Sequence, residues 1–394
     1  MYITILGRQS VLGLAELERV YGSVARFSDT VATLTDAPDI LQLGGSLKTG
    51  RVIFTLPRGE WRDVERKVIA HYESAWRTSD HKLTLGMSIY GLRAGSRDIQ
   101  RTGLELKKRL KTQGVSVRLI PNNTPTLNTA TSHHNKLGLS SNKVELLIAK
   151  GTDGSIIVAE STGAQHITAL AGRDQGRPKR DAFVGMLPPK LAQIIINLAV
   201  GAHTRGPDGH SPMILDPFCG TGVILQEALL LGYMVHGSDL SEKMIDYTLE
   251  NLAWLQRTHR DTGTILTVRP ADATDYTWAE ASILDAVACE TYLGQPFSAP
   301  PSPSKLREVR GNCNHIIGSF LTNIGKQLTS GTTLCVAVPA WRAHDGSFTH
   351  LPLTRDLDSY GYRRIPLTSV RAHELLYYRE DQVVARELLV LEKL

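Results

Sequence analysis

The stretch Asp216-Pro217-Phe218-Cys219-Gly220-Thr221-Gly222 carries the residue types best able to do chemistry. It follows the apolar run 213–215 and precedes VILQEALLL, so it reads as a turn between a strand and a helix. Glycines at 220 and 222 let the backbone bend sharply and let a ligand approach it at the carboxyl end of the strand. A dinucleotide fingerprint would need a third glycine, and Leu225 occupies that position. No Walker lysine follows, which argues against a nucleoside triphosphate. Asp239, with Leu240 beside it, ends the next strand 23 residues after Asp216, where a carboxylate can accept from ribose hydroxyls. Asp272, in PADAT after the third strand, is placed to meet an adenine amino group. Three acids at three successive strand ends describe a pocket for S-adenosylmethionine, a ligand with an amino acid, a ribose and an adenine but no phosphate.

A fourth strand, ILDAVAC, leads into Glu290-Thr291-Tyr292-Leu293-Gly294. A carboxylate at 290 is a hydrogen-bond acceptor, and Tyr292 and Phe297, the latter in the loop GQPFSAPPSPS, carry flat rings able to stack. Asp285 begins its strand and reads as structural.

These residues need a sheet to hold them. From Leu187 onward, helix and strand alternate: KLAQIIINLAVGA after Pro188 and Pro189, MILDPF, VILQEALLL, YMVHGSD, SEKMIDYTLENLAWL, ILTVR, ILDAVAC, a long helix within 304–328, and TTLCVAVP. Repeated βα units imply a mostly parallel sheet covered on both faces, and LLYYRE with VVARELLVLEKL reads as an antiparallel hairpin closing it. The front of the chain is α+β. It has a strand at 1–6, a helix at 11–21 ended by Gly22, a helix at 98–113, the strand VSVRLIP, and a hairpin of KVELLIAK and SIIVAES around the turn 151–154. The Gly- and Arg-rich segment 171–181 reads as a linker. The boundaries expected are 1–60 for an N-terminal α+β domain, 61–165 for a second domain, 166–186 for a linker and 187–394 for the sheet domain.

Charge divides along the same seam. The chain of 394 residues carries +5, but residues 1–210 hold 28 basic and 18 acidic side chains, whereas the remainder holds 16 and 21. Eight cations fall within 93–118: Arg93, Arg97, Arg101, Lys107, Lys108, Arg109, Lys111 and Arg118. Such a cluster fits phosphate contacts on a polyanion, and Arg173, Arg177, Lys179 and Arg180 extend the track through the linker, the alternative being that Arg173 pairs with Asp174 and braces the domain junction. The four cysteines are scattered, and His133 and His134 are adjacent, which is unsuited to sharing one tetrahedral site, so no metal is expected. The N-terminus has no basic region before its apolar residues and no run is long enough for a membrane span, so a cytoplasmic protein is expected.

D-P-F-C-G-T-G with VILQEALLLG, S-D-L, ENLAWL and the preceding M-L-P-P-K-L-A-Q-I together resemble the THUMP-domain tRNA guanine-N2 methyltransferases that act on guanosine 10. GLAELERVYG is similar to their N-terminal domain, and 107–161 resembles their THUMP module, an RNA-binding fold. The resemblance implies a class I Rossmann-like methyltransferase domain, with a mostly parallel seven-stranded sheet and an antiparallel end strand, behind two RNA-gripping domains. It implies that Asp216, Phe218, Gly220, Gly222, Asp239, Leu240, Asp272 and Ala273 hold S-adenosylmethionine. It further implies that Glu290, Thr291, Tyr292 and Leu293 stand where the family has Asp or Asn, two prolines and an aromatic, a motif altered here at all four positions, with Glu290, Thr291 and Tyr292 as the catalytic residues and Tyr292 one place earlier than the family's aromatic. An RNA, most simply tRNA, is the expected partner; some relatives need an activating protein, and that partner stays open. Two other readings remain: methylation of another base amine in RNA or DNA, and an RNA-binding protein that keeps the pocket but has lost catalysis.

Overall fold

The computed structural model describes residues 1–181, 187–202, 211–260 and 262–394. Met186 and the rest of 182–186, the end of the expected linker, lie outside the described residues, as do 203–210 of the sheet domain. The chain forms two compact units. No helix among the described residues is long and apolar enough to cross a membrane.

The first unit comprises 1–10, 23–41 and 46–169. Its strands are β1 (Tyr2–Leu6), β2 (Val24–Ser28), β3 (Val31–Leu34), β4 (Ser46–Leu56), β5 (Leu83–Tyr90), β6 (Val117–Leu119), β7 (Lys143–Lys150) and β8 (Ile156–Ala164). They join in one sheet of order β2-β3-β1-β4-β8-β7-β5-β6. The segments expected as separate domains, 1–60 and 61–165, are therefore continuous, because β4 pairs with β8 along nearly its whole length. Helices α2 (Trp61–Ala75), α3 (Ser96–Thr112) and α4 (Thr129–His134) complete the unit. The apolar stripe of α3, Ile99, Leu106 and Leu110, is fully buried, and this amphipathicity leaves the basic faces to solvent.

The second unit holds 170–394 together with 11–22 and 42–45. Helix α1 (Ser10–Tyr21), expected to belong with the N-terminal strands, thus packs into this unit instead. The cause is polar. The fully buried Glu16 carboxylate accepts from the Gly44 and Gly45 N–H groups at 2.9 and 2.8 Å and from Asn197 Nδ2 at 2.6 Å. Arg19 donates to the Leu198 carbonyl at 3.0 Å. Asn197 and Leu198 lie in α6 (Pro189–Val200).

The first part of the expected linker is helix: α5 spans Ile167–Gln175. Its Arg173 is buried in a two-pronged pair with Glu227, at 2.7 and 2.9 Å, rather than pairing with Asp174. Sequence proximity favours the neighbour, but a planar guanidinium matches a buried carboxylate two bonds at a time.

Beyond it come α7 (Val223–Leu230), α8 (Glu242–Thr258) and α9 (Pro303–Gly325). The strands are β9 (Met213–Asp216), β10 (Met234–Asp239), β11 (Thr264–Pro270), β12 (Ala286–Glu290), β13 (Thr333–Arg342), β14 (Phe348–Thr349), β15 (Tyr362–Arg364), β16 (Leu376–Tyr377) and β17 (Val384–Lys393). Their order is β11-β10-β9-β12-β13-β17-β15, with β14 and β16 attached to β13 and β17. Pairs among β9 to β13 are parallel and β17 is antiparallel to β13. The closing hairpin forms between β16 and β17, but β17 is not the edge: it lies between β13 and β15, a three-residue strand too short to read from periodicity. This is the class I methyltransferase sheet. Strand order reverses between β9 and β12, so their carboxyl ends open a crevice.

Candidate active site

A cavity of about 860 Å³ lies over those strand ends, within the size range of small-molecule sites. It is lined by the turn after β9, the ends of β10, β11 and β12, and the face of α9 that carries Asn312 and Ile316. All eight sequence-derived pocket residues, Asp216, Phe218, Gly220, Gly222, Asp239, Leu240, Asp272 and Ala273, fall at this crevice, and all but Gly222 line it.

Each is held for a physical reason. Asp216 ends β9 almost fully buried and accepts from the Phe218 N–H at 3.1 Å. Burial pushes its carboxyl well above the ordinary range, and the nearby charges of Asp239 and Glu290 push the same way. Gly222 starts α7 at φ +81°, and a Cβ there would come within 2.9 Å of Thr248. Only glycine fits both conditions. Both Asp239 oxygens take backbone donors, Gly220 N–H and Ser241 N–H, each at 2.9 Å. Burial nonetheless raises Asp239. Exposed Asp272 folds back on Thr274, accepting from its N–H at 2.9 Å and its hydroxyl at 2.7 Å. Phe218 meets Phe320 edge to face, with ring centroids 5.0 Å apart, which fixes one wall. Leu240, 74% exposed, forms a rim.

At the end of β12, Glu290 faces the cavity, and its Oε1 accepts from Arg386 Nε at 2.8 Å. The Thr291 N–H and hydroxyl both donate to the Ala337 carbonyl of β13, each at 3.0 Å. Thr291 is therefore an anchor of the backbone, and its hydroxyl is already engaged. Prolines at this point would stiffen the chain through fixed φ; threonine does so through a donor that proline lacks. Tyr292 is 44% exposed at the cavity edge, whereas Phe297 packs against the core cluster around α9. The structure thus separates the two stacking candidates and leaves Tyr292 at the opening. Asp285 accepts from the Met213 N–H at 2.7 Å, a structural bond.

Sequence reasoning missed Arg386, 96 residues from its partner. It also missed Asp181 and Lys243, which line the cavity and pair at 2.8 Å. Lys243 was findable, four residues after Asp239 in S-E-K-M; Asp181 and Arg386 carry no local signal. The charged lining is Asp181, Asp216, Asp239, Asp272 and Glu290 against Lys243. Such a field disfavours phosphates and suits a cationic ligand. The residues present therefore fit a sulfonium with an amino group and a ribose.

The basic track is divided. Arg93, Arg97, Lys107, Lys108, Lys111 and Arg118 are exposed and outside the ion pairs of the described residues. Arg101 pairs with Asp98 at 3.3 Å, and Arg109 with Glu105 and Glu73 at 2.8 and 3.2 Å. Two expected contacts change. Arg177 is only 3% exposed, with burial lowering its pKa, so it is not a surface phosphate ligand in this structure. Lys179 pairs with Glu250 at 3.2 Å and lies 5.3 Å from the Tyr247 ring centroid. His133 packs against His166 with the rings tilted 48° and their centroids 4.1 Å apart. No group of three or more metal-ligating side chains occurs among the described residues.

A tRNA (guanine(10)-N2)-dimethyltransferase of Methanothermobacter thermautotrophicus is 33% identical over 169 residues, 42% of this chain and 43% of that protein. The enzyme of the same name from Methanocaldococcus jannaschii is 44% identical over 68 residues, 17% of each. This chain is similar to the tRNA guanine-N2 methyltransferases. The matched part spans less than half the length of these curated relatives. Among solved structures, TrmN from Thermus thermophilus superposes with a TM-score of 0.50 at 17% identity, covering 100% of this chain and 99% of that one, a likeness of fold. No known family profile matches the chain.

Proposed function

We infer that the protein transfers a methyl group from S-adenosylmethionine to the exocyclic N2 amine of a guanosine in tRNA, in the cytoplasm. The observation that carries this reading is the convergence of Asp216, Asp239, Asp272 and Glu290, from four strand ends, on one acidic cavity. The similarity to dimethyltransferases supports N2 of guanosine as the target.

S-adenosylmethionine supplies an electrophilic methyl on a cationic sulfur. Asp216, raised by burial, is placed to pair with the ligand's amino group, and Asp239 to accept from ribose hydroxyls. Asp272 and Ala273 border the adenine position, and Gly220 and Gly222 bring the backbone close. The guanine amine is a weak nucleophile because its lone pair is conjugated with the ring. Glu290 accepts one of its N–H bonds and draws the nitrogen toward tetrahedral geometry. Glu290 or solvent would take the proton that the amine nitrogen gives up on methylation. Tyr292 stacks on the flipped base. The exposed cations of α3 and its flanks, in a THUMP-like unit, hold phosphates and position the RNA without reading its sequence.

The test is methylation of unmodified tRNA with labelled cofactor, followed by mapping of the labelled nucleoside. N2-methylated guanosine is expected. Label in a cytosine or adenine would move the target, and no turnover on any RNA would leave an RNA-binding protein with an idle pocket.

A further inference from the structure

Arg386 is a charged group that bonds to the reacting end of β12 without itself lining the cavity. It stands in β17, opposite Pro339 of β13, and its Nε meets Glu290 Oε1 at 2.8 Å. The two side chains are 10% and 14% exposed, so the pair is screened from water far more than a surface ion pair would be. No other bond to the Glu290 carboxylate occurs among the described residues, which leaves Oε2 available to a ligand. The neighbouring strand β13 meanwhile clamps Thr291 through the Ala337 carbonyl. Two adjacent strands thus fix the segment, one by its backbone and the other by the side chain of Glu290.

The physical need for this second clamp follows from glutamate itself. Its carboxylate hangs on three rotatable bonds, one more than aspartate, and an unheld acceptor would sample several rotamers. An acceptor works in a transition state only if it is aimed beforehand. A planar guanidinium supplies a directed donor at a set distance, which a point charge does not. Glu290 is also close enough to Asp216 and Asp239 to share an acidic cavity with them, and a buried cation on its outer side offsets that repulsion.

We propose that Arg386 is a positioning residue for the acceptor side of the site: it occupies one oxygen of Glu290 and aims the other at the incoming amine. The inference rests on the methyl-transfer reading above. Arg386 acts through Glu290 and touches neither cofactor nor RNA.

The experiment uses the full chain with Arg386→Met, Arg386→Lys, Glu290→Gln and the double variant Arg386→Met/Glu290→Gln. Methyl transfer to unmodified tRNA is measured at saturating substrates, and affinity for S-adenosylmethionine is followed by calorimetry. Arg386→Met is expected to lower kcat by about 10- to 100-fold with KM for tRNA and cofactor affinity unchanged, as for a directly coupled pair. Arg386→Lys should fall between it and wild type. In the Glu290→Gln background the same loss should shrink to about 3-fold or less, because the oxygen being aimed has already changed. Added guanidinium should restore part of the activity of Arg386→Met. A kcat within about 2-fold of wild type in Arg386→Met, or an undiminished loss in the double variant, overturns the proposal. Should Arg386→Met fail to fold, Arg386→Lys decides: a lower kcat at constant KM supports the role, and an unchanged kcat refutes it. Wild-type protein that methylates no RNA would instead refute the underlying reading.

Discussion

Around the turn after β9, the hydrogen bonds on Asp216, Asp239 and Gly220 join residues at most 28 apart in sequence. Across the cavity, the bonds on Thr291 and Glu290 span 46 and 96 residues. The near side is assembled from a strand, a turn and the next helix, so it forms wherever that local pattern folds. The far side exists only once β13 and β17 have joined the sheet. The difference teaches that a locally built half is constrained to a recognisable sequence, while a half held by distant strands can exchange its residues if a distant partner compensates.

The largest effect should fall on the far side. Glu290→Ala is expected to lower kcat for tRNA methylation by about 10²-fold or more while leaving cofactor affinity near wild type. Loss of cofactor binding in that variant would collapse the distinction between the two halves.

A second long-range device, the anchor of α1, is open to a pH test. Burial raises the Glu16 carboxyl to about 7, against the lowering effect of its Gly44, Gly45 and Asn197 donors. The folded protein therefore holds this proton up to a pH at which the unfolded chain, near 4.5, has released it. Its contribution to stability is complete below that lower value and is lost as pH rises through about 7. Urea unfolding at pH 5 and pH 8 should show wild type losing on the order of 3 kcal/mol more than Glu16→Gln between the two. Equal losses would show that the donors keep Glu16 ionised in the fold.

On the near side, Asp239→Asn replaces an oxygen that accepts a backbone N–H with an amide that cannot. Affinity for S-adenosylmethionine should fall about 10-fold, with Glu290-dependent chemistry intact at saturating cofactor. A drop in kcat that saturation does not rescue would mean the halves are coupled.

The smallest single effects belong to the first unit. Replacing Lys107, Lys108 or Lys111 by alanine should each weaken tRNA binding a few-fold and lower the salt dependence by about one unit of slope. Cofactor affinity should stay constant; unchanged tRNA binding when all three are removed would place the RNA elsewhere.

Legibility followed the same division. The pocket acids, the glycines, the alternating βα pattern and the basic helix α3 could all be read from residue type and spacing, since each depends on neighbours within a turn or a strand. The helix over 167–175 was read as linker because Gly and Arg are common there, and only the buried Glu227 explains why Arg173 goes inward. Arg177, counted among the phosphate ligands, is buried for the same kind of reason: sequence shows charge, not depth. Strand β15 was missed because three residues carry no period.

By itself, the sequence determined which acids and glycines gather at the crevice of the second unit and which unit carries the positive charge, because both follow from short-range pattern and composition. The tertiary structure alone decided that α1 joins the second unit, that Thr291 anchors the backbone, and that Arg386 reaches Glu290. Each of these depends on strands or helices distant in the chain becoming neighbours, and burial then forces every polar group there to find a partner.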